Sequence, residues 1–417
     1  MGKIGIMHYF WDENSSGVNT VVNNNLEGLL ELYPGLEPIF ISDRDSDKIF
    51  PKYEKRNINL NKNFSKKLLD LTKDLEAIII ENPFRQLKEF PLAPEEYKKF
   101  TENFNGGVVY RHHDVNNKLK NVVPESSNIT HVTLVNPTKK QLENEYGIKV
   151  NILKNSVICE NFYENNSKKD SELRESLESK GIILPNEKII AVPNRIVDRK
   201  NIEESLMITK MLNELSSEQY RLIVTTSIIK NEPNNIFQIK YQKNLESLAR
   251  KHNIKASMGE VSEIIDDINF NVGNLYHLSD FALSTSVKEG FGYMFVEPWI
   301  ANTPQIGRHI EHVVPDFHKN GLDLNHLYDD DILVDGPKYK KRIKNLDNIL
   351  SDKKILYKTI DKMKIPERTE YAKKVLEQNK EAVKINYNHI KIAGELANYL
   401  KLNQYGIKVA WKKYKKI

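Results

Sequence analysis

The chain has 417 residues, with 62 lysine and arginine residues against 57 aspartate and glutamate residues, which leaves a formal net charge of +5. This surplus is small for the length, and no dense basic block is interleaved with aromatic residues, so the sequence does not indicate a nucleic-acid-binding protein. The single cysteine, Cys159, excludes an intramolecular disulfide framework and a thiolate metal cluster. The length predicts two domains.

The chain begins with a short apolar run, Lys3 to Met7, that is typical of a first strand rather than of a cleaved signal peptide. No apolar stretch approaches the roughly 18 to 20 residues that span a bilayer. We therefore expect a soluble, cytoplasmic protein, either a monomer or a homodimer. The C-terminal tail has a local basic excess, for which we favour a frayed, solvated helix over contact with anionic lipid. Its residues are Lys408, Trp411, Lys412, Lys413, Tyr414, Lys415 and Lys416.

In the first half of the chain, short apolar runs rich in β-branched residues alternate with longer amphipathic stretches, which favours a parallel α/β architecture. Helices are predicted from about Val18 to Leu32 and from Pro137 to Tyr146, the second of which is closed by Gly147. Strands are predicted near residues 3–9, 37–42, 76–80, 107–112, 131–135 and 150–153.

A polar stretch between residues 160 and 187 indicates a linker followed by a helix, and a second α/β alternation then begins. The last part of the chain, after this second alternation, is rich in charged residues and has the hydrophobic periodicity of helices. The pattern predicts two doubly wound domains that share a helical C-terminal segment, with a ligand in the cleft between them. The predicted strands lie near 188–192, 221–226, 255–259, 281–285 and 304–307, and the predicted helices near 201–215 and 238–252.

The most informative motif runs from Ser286 to Glu297, where two carboxylates bracket a glycine-containing turn after an apolar strand. Gly290 and Gly292 allow the main chain to approach a ligand closely, and the start of the following helix offers N–H groups to a phosphate. Glu289 and Glu297 can accept hydrogen bonds from vicinal hydroxyls of a sugar or ribose. A plain strand–turn–helix junction is the structural alternative for this stretch.

Two motifs of the first half follow predicted strands. Gly17 lies where the first strand hands over to a helix, so nearby N–H groups could face a phosphate, although an ordinary turn explains it equally well. A strand then runs into His112, His113 and Asp114. A histidine at a strand's carboxyl end can orient a substrate hydroxyl or transfer protons, and alternation predicts that only one of the two histidines faces the ligand. A histidine that only stabilises a loop is the alternative.

The second domain opens with a basic connection between a predicted strand and a helix. Arg195 lies at the strand end and Lys200 at the helix start, so together they could hold a diphosphate. A solvated basic loop is the alternative for this segment, and the motif alone does not decide between the two.

Taken in chain order, these features resemble the retaining GT-B glycosyltransferases of the large family four, glycosyl transferases group 1. The resemblance rests on Glu289 and Glu297, which match the family's E-x7-E motif, and on the basic pair that opens the second domain. Residues 150–157, followed by Phe162, are similar to the family's interdomain stretch. The resemblance implies a GT-B fold with an acceptor-side domain at 1–165, a nucleotide-sugar-binding domain at 166–385 and a C-terminal helical segment at 386–417 that returns to the first domain.

The resemblance also implies the role of each residue. Glu297 would bind the ribose, Glu289 the transferred sugar, and the two cations the diphosphate, with the departing phosphate taking the acceptor's proton. A nucleotide-diphosphate sugar is then a co-substrate, no cofactor is bound permanently, and magnesium is possible but not required. The implied catalytic residues are Glu289, His113, Arg195 and Lys200; the implied donor-binding residues are Gly17, Asn194, Gly290, Phe291, Gly292, Tyr293 and Glu297; and the acceptor-side residues are His112, Asp114 and Asn155.

Within the family, residues 193–203 and 111–114 most resemble mannosylglucosylglycerate synthases, which use GDP-mannose and a small glycosidic acceptor. UDP-glucose and ADP-glucose are alternative donors. The sequence departs from the family pattern at Lys154, where proline is usual, at Cys159 and Glu160 after the hinge, at Asn194 and at residues 298–302. These departures leave the donor open.

Two other classes of function remain possible on this sequence, one enzymatic and one non-catalytic. A glycoside phosphorylase or a nucleotide-sugar epimerase could use the same scaffold, because fold does not fix function. A non-catalytic nucleotide-sugar-binding protein is the second, although it would have no need of both glutamates, both cations and the histidine. Transfer activity separates these alternatives.

Overall fold

The structure is a computed structural model that describes residues 2–8, 17–42, 50–59, 61–83, 91–113, 128–163, 167–226, 235–261, 264, 271–329 and 339–402. The chain divides into two compact units, the first formed by residues 1–158 with 386–417 and the second by residues 159–385. Asp114 and the basic residues of the C-terminal tail lie outside the described residues. Within the described residues, no helix is long and apolar enough to cross a membrane.

The first unit contains a seven-stranded sheet in which all neighbouring strands are parallel, in the order β3-β2-β1-β4-β5-β6-β7. Six of its strands were predicted, whereas β3 was missed because its sequence, Glu-Lys-Arg-Asn, is charged and largely exposed at the sheet edge. The strands are β1 Lys3–Met7, β2 Glu37–Ser42, β3 Glu54–Asn57, β4 Leu75–Glu81, β5 Gly107–His112, β6 Ile129–Thr133 and β7 Val150–Ile152.

Helices cover both faces of this sheet, because successive strand residues alternate between two apolar clusters. On β4, Ile79 packs on one side with Leu26 and Ile392, and Ile78 packs on the other with Leu68 and Phe100. This alternation makes the unit doubly wound, as predicted. Its helices are α1 Gly17–Leu32, α2 Phe64–Thr72, α3 Ala93–Asn103, α4 Asn136–Tyr146 and the C-terminal α16 His389–Tyr399.

The second unit contains a five-stranded parallel sheet in the order β10-β9-β8-β11-β12. All five strands were predicted. They are β8 Lys188–Arg195, β9 Tyr220–Thr226, β10 Ala256–Met258, β11 Phe281–Ser284 and β12 Gln305–Gly307. The helices are α5 Glu160–Tyr163, α6 Ser167–Ser179, α7 Ile202–Leu215, α8 Ile236–Lys251, α9 Val272–Leu278, α10 Glu297–Ile300, α11 Val314–Lys319, α12 Tyr339–Ser351, α13 Lys353–Met363, α14 Ile365–Lys374 and α15 Leu376–Asn386.

The short helix α5 belongs to the second unit, although sequence analysis placed the boundary at residue 165. Its contacts explain this division. His277 Nε2 lies 2.9 Å from the carbonyl oxygen of Phe162, and the Phe162 ring packs against Tyr276 with a centroid distance of 6.4 Å. The polar stretch after Phe162 therefore follows a segment that is already packed on the second unit.

Helix α16 packs closely against α1, and Gly28 makes this approach possible. A Cβ atom at Gly28 would lie 2.6 Å from the carbonyl oxygen of His389 and 2.8 Å from the Cβ atom of Ala393. Gly394, on α16, is different, because a Cβ atom there would have Leu32 Cδ1 at 4.0 Å as its nearest neighbour.

We predict that Gly28→Ala lowers the free energy of unfolding by about 1–3 kcal/mol, because a Cβ atom would push two helix backbones apart. Gly394→Ala is the matched control on the facing helix, and it should leave stability unchanged or raise it by about 0.5–1 kcal/mol through helix propensity. Urea denaturation of the three proteins measures both effects. Equal stability of Gly28→Ala and wild type would contradict the close packing.

Candidate active site

The connection between β8 and α7 carries two cations at the carboxyl end of its strand. Residues Asp198 to Lys200 form a 3-10 turn, and Asn201 follows with a φ of 51°. Asparagine tolerates this left-handed conformation better than most residues, and it lets the chain turn directly into α7. As a result, Arg199 and Lys200 lie just beyond the end of β8.

The connection between β11 and α10 carries the Glu289–Glu297 motif. Gly292 has a φ of +90°, and a Cβ atom there would lie 2.7 Å from Cδ2 of Phe295. The glycine is therefore required by the backbone conformation and by the close packing of Phe295, independently of any ligand. Because β8 and β11 are parallel neighbours in the sheet, their two connections emerge side by side.

The two connections meet at the carboxylate of Glu289. Lys200 Nζ lies 2.5 Å from Glu289 Oε1, and Arg199 Nη1 lies 3.0 Å from Glu289 Oε2. The side chain of Glu289 is only 8% exposed and that of Lys200 only 11%, whereas that of Arg199 is 47% exposed. One buried carboxylate thus holds a buried and an exposed cation together.

Burial and charge act against each other at this cluster. Burial would raise the pKa of Glu289, but the positive charges of Lys200 and Arg199 outweigh it and hold that pKa below its usual value. Burial lowers the pKa of Lys200, an effect that Glu289 opposes and that the charges of Arg199 and Arg195 reinforce. Arg195 therefore lies within electrostatic reach of Lys200.

Further hydrogen bonds fix the two loops to each other. The amide of Val287 donates to the carbonyl of Arg199 at 2.9 Å, and the Thr285 hydroxyl lies 3.1 Å from the carbonyl of Lys200. His312 Nε2 lies 2.7 Å from the carbonyl oxygen of Glu289, which also holds the main chain of this loop. The positions of the charged groups are thus set by backbone contacts as well as by the ion pairs.

Two buried glutamates in the first turn of α7 stabilise the 3-10 turn that carries Arg199 and Lys200. Glu203 accepts hydrogen bonds from Arg342 Nε and from the Tyr241 hydroxyl, and Arg342 also binds the carboxylate of Asp198. Glu203 and Arg342 are 1% and 2% exposed, so the pair is held in a low-dielectric setting. Burial raises the pKa of Glu203, and Arg342 opposes that rise.

Glu204 makes a second buried network beside the first. It accepts a hydrogen bond from Arg308, one from Asn201 Nδ2 at 2.8 Å and one from the Tyr328 hydroxyl at 2.6 Å. Asn201 is the residue that turns the chain into α7. The two glutamates thereby anchor the turn that presents Lys200.

Glu297 occupies a different environment from Glu289. The Tyr276 hydroxyl lies 3.4 Å from Glu297 Oε2, and burial raises the pKa of Glu297 to about 7. Part of this residue remains accessible to solvent. The two glutamates of the motif therefore differ in charge near neutral pH, since Glu289 is ionised and Glu297 is close to its midpoint.

Other predicted residues of the second unit lie within the Ser286–Glu297 motif or at the end of β8. Asn194 is 9% exposed at the end of β8, and the Phe291 ring packs edge-on against Tyr293 with a centroid distance of 5.3 Å. Trp299, one of the departures from the family pattern, is fully buried and donates to the carbonyl of Phe295 at 3.0 Å. This departure therefore changes the core beneath the motif.

In the first unit, the two predicted histidines have different environments. His113 Nε2 lies 2.5 Å from Oε2 of Glu81, at the end of β4. His112 is 2% exposed, and its ring stacks on His131 with Nε2 and Nδ1 3.1 Å apart. Burial holds the pKa of His112 well below its usual value. His112 is thus part of the core, and His113 is the histidine paired with a carboxylate.

Two further predicted residues of this unit differ in burial. The side chain of Asn155 accepts a hydrogen bond from Arg111 Nη2 at 2.9 Å, and Asn155 is 3% exposed. Gly17 is the exposed first residue of α1, and a Cβ atom there would meet nothing within 4 Å. The fold therefore does not itself require a glycine at this position.

Sequence analysis missed several residues that build these clusters. Arg199 was passed over although it lies between two residues that had been selected, and Glu81 directly follows the strand predicted at 76–80 but was not selected. Glu203, Glu204 and Arg342 lie in amphipathic helices, where charge normally indicates solvent exposure. For Glu81 a signal existed, because it lies at the carboxyl end of the strand next to β5, and His113 directly follows β5.

A comparison with known protein families bears on the second unit. Residues 174–365, which include Glu289 and Glu297, match the family model of glycosyl transferases group 1. This region is a group 1 glycosyltransferase domain. The resemblance to that family is confirmed for residues 174–365, and the same match supports the prediction of a glycosyltransferase enzyme.

A curated relative and two solved structures extend the comparison. Mannosylglucosylglycerate synthase of Petrotoga mobilis is 23% identical over 261 residues, which cover 55% of this chain and 59% of that protein. The match thus spans less than two thirds of that relative. A glycosyltransferase from Rickettsia africae superposes with a TM-score of 0.63 at 18% identity, covering 98% of this chain and 99% of that chain.

Anabaena HepE, solved in complex with UDP-glucose, gives a TM-score of 0.63 at 11% identity and covers 96% of this chain and 99% of that chain. At these identities the structural likeness establishes the fold. The predicted GT-B fold is confirmed.

We predict that Arg342→Met lowers the free energy of unfolding by about 3–5 kcal/mol, because it leaves the buried carboxylate of Glu203 without its cation. Lys373→Met is the control, since it removes one partner of an exposed pair with Glu370 at 2.7 Å and should change stability by less than about 1 kcal/mol. Chemical denaturation measures both variants. Similar losses for the two would contradict the distinct role of the buried network.

A second prediction concerns Glu297, whose pKa in the folded chain, about 7, exceeds the ordinary value of 4.5 for a glutamate. Its contribution to stability is present below about pH 4.5 and is lost as the pH rises through 7, because ionisation then occurs in a desolvated site. Glu297→Gln should therefore raise the free energy of unfolding at about pH 8.5 by about 1–3 kcal/mol and have little effect near pH 4.5.

Denaturation at the two pH values measures this effect. Glu377→Gln, which changes an exposed carboxylate on α15, is the control and should show no gain that depends on pH. A stability gain at Glu297 that is equal at both pH values would show that ionisation is not its cause.

Proposed function

We propose that this chain is a retaining glycosyltransferase that moves a hexose from a nucleotide-diphosphate sugar to a hydroxyl of a small molecule or glycan. The observation that carries the proposal is the junction of Arg199, Lys200 and Glu289 at the carboxyl ends of two neighbouring parallel strands. Ligands of doubly wound domains bind at this edge of the sheet. The family match supports a nucleotide sugar as the donor.

The two cations are suited to hold the diphosphate. An ammonium group has three N–H donors and a guanidinium five, so each can bind phosphate oxygens while it keeps its contact with Glu289. Arg195 contributes positive charge nearby. As the bond between sugar and phosphate breaks, negative charge grows on the phosphate. Fixed cations therefore stabilise the transition state more than they stabilise the ground state.

Glu289 is suited to bind the transferred sugar. Its lowered pKa keeps the carboxylate ionised at neutral pH, so it can accept hydrogen bonds from sugar hydroxyls. We assign Glu297 to the ribose, and the main chain near Gly290 and Gly292 to the donor. We assign His113 to the donor sugar or the acceptor, and Asn155 to the acceptor side.

The transfer step needs only the donor and the acceptor, and every bond and proton is accounted for. The bond from the anomeric carbon to the phosphate oxygen breaks with its electron pair on the diphosphate. The acceptor oxygen forms the new bond to carbon on the same face, and its proton passes to the departing phosphate oxygen. The protein supplies orientation and charge stabilisation for this step.

The donor type is the finer part of the proposal. Mannosylglucosylglycerate synthase is named for a mannosylated product, and HepE was solved with UDP-glucose. We propose GDP-mannose first, with UDP-glucose and ADP-glucose as the alternatives. A thermal-shift screen of the three donors would rank them, because selective binding raises apparent stability by mass action.

We predict that Lys200→Ala weakens binding of the preferred nucleoside diphosphate by about 10- to 150-fold, equivalent to the loss of one charge-assisted contact of about 1.5–3 kcal/mol. Isothermal titration calorimetry with GDP, UDP and ADP measures this loss. Lys210→Ala is the control, since this lysine lies on α7 in an ion pair with Glu214. The Lys210→Ala variant should bind nucleotide as the wild type does.

The variant Glu289→Gln completes the same test. It should retain nucleotide binding and lose glycosyl transfer, because the amide keeps the shape of the side chain but not its charge. Unchanged nucleotide affinity in Lys200→Ala would remove the diphosphate assignment. Product formation by the wild type from a sugar 1-phosphate, without a nucleotide sugar, would favour a phosphorylase.

A further inference from the structure

Glu81 and His113 form a buried acid–histidine pair at the carboxyl edge of the first sheet. Strands β4 and β5 are parallel neighbours, with Glu81 opposite Arg111, so residues that follow the two strands emerge together. His113 Nε2 lies 2.5 Å from Glu81 Oε2, and the side chain of Glu81 is 2% exposed. The histidine side chain is 9% exposed.

The groups around Glu81 keep its carboxylate ionised. Burial would raise the pKa of Glu81, but His113, Arg111 and His8 outweigh that effect and hold it below its usual value. Arg111 Nη1 lies 3.9 Å from Glu81 Oε1, the oxygen that does not contact the histidine. Since an ionised carboxylate only accepts hydrogen bonds, the hydrogen in the contact with His113 belongs to Nε2.

The backbone around the pair holds the ring in place. Asn82 has a φ of 49°, its side chain accepts a hydrogen bond from the amide of His113 at 2.9 Å, and its own amide donates to the carbonyl of Arg111 at 2.8 Å. The end of β4 thus binds both the main chain and the imidazole of His113. Such double fixation is typical of a histidine whose orientation matters.

We propose that Glu81 is a positioning residue that fixes His113 in the Nε2–H tautomer and leaves Nδ1 as the nitrogen that accepts a hydrogen bond from a substrate hydroxyl. The substrate part of this inference rests on the proposed function. Its physical basis is the geometry of the pair, in which one ring nitrogen is committed to a buried anion. His112 cannot take this role, because it is buried against His131.

The variant Glu81→Gln tests the tautomer directly. The guanidinium of Arg111 should attract the amide oxygen, which turns the amide NH2 towards His113. The histidine must then accept at Nε2, so its hydrogen moves to Nδ1. Nitrogen NMR of protein labelled at histidine distinguishes the two tautomers, and the spectrum of His113→Asn locates the signals of this residue.

We expect the Nε2–H tautomer in the wild type, the Nδ1–H tautomer in Glu81→Gln and a fall in kcat of about 10²–10⁴-fold, since a histidine in the wrong tautomer loses its hydrogen-bonding role. Glu76→Gln is the control, because Glu76 is an exposed residue on the same strand. It should leave both the tautomer and the activity of the enzyme unchanged.

The NMR result and the activity separate the possible failures. A wild-type ring that already carries its hydrogen on Nδ1, or a tautomer that does not change in Glu81→Gln, would overturn the proposal. A reversed tautomer with full activity would overturn the role in positioning substrate. The expected tautomers in a protein that transfers no sugar would count against the proposed function and leave the assignment of the pair intact.

Discussion

The ion pair between Lys200 and Glu289 is the interaction on which the organisation of the second unit's site depends. It joins two loops that leave neighbouring strands, and both of its partners are largely removed from water. Desolvation makes such a pair costly unless its geometry is well supported. Here the support is visible: Glu203 and Glu204 anchor the turn before α7, and His312 holds the carbonyl of Glu289.

This arrangement explains why so many charges lie close together in a small part of the chain. Two cations beside one anion leave a net positive charge, and that charge is suited to a doubly negative diphosphate. Glu297 lies in the same motif but has a pKa near 7, so its charge is not fixed in the way that the charge of Glu289 is. The motif therefore combines a permanent anion with a group whose charge depends on pH.

Much of the fold could be predicted from the sequence because buried parallel strands are continuous apolar runs. The exception, β3, is a charged edge strand whose pairing with β2 is made by the backbone. Part of the candidate site could be proposed from the sequence, since Glu289, Lys200 and His113 follow strands, and doubly wound domains bind ligands at the carboxyl ends of their strands.

Their partners were not predictable in the same way. The contacts of Arg199, Glu203 and Arg342 join elements distant in sequence, as in the pair formed by Glu203 and Arg342. Hydrophobic periodicity carries no information about which charged residues become buried together. The different environments of His112 and His113 became apparent only from the ring contacts of each.

A crystal structure of the chain with GDP-mannose, UDP-glucose or ADP-glucose, whichever stabilises the protein most, would test the central claim most directly. The account predicts that phosphate oxygens of the donor lie within hydrogen-bonding distance of Lys200 Nζ and the guanidinium of Arg199, and that hydroxyls of the sugar contact Glu289. A donor bound elsewhere, with its diphosphate remote from both cations, would contradict it.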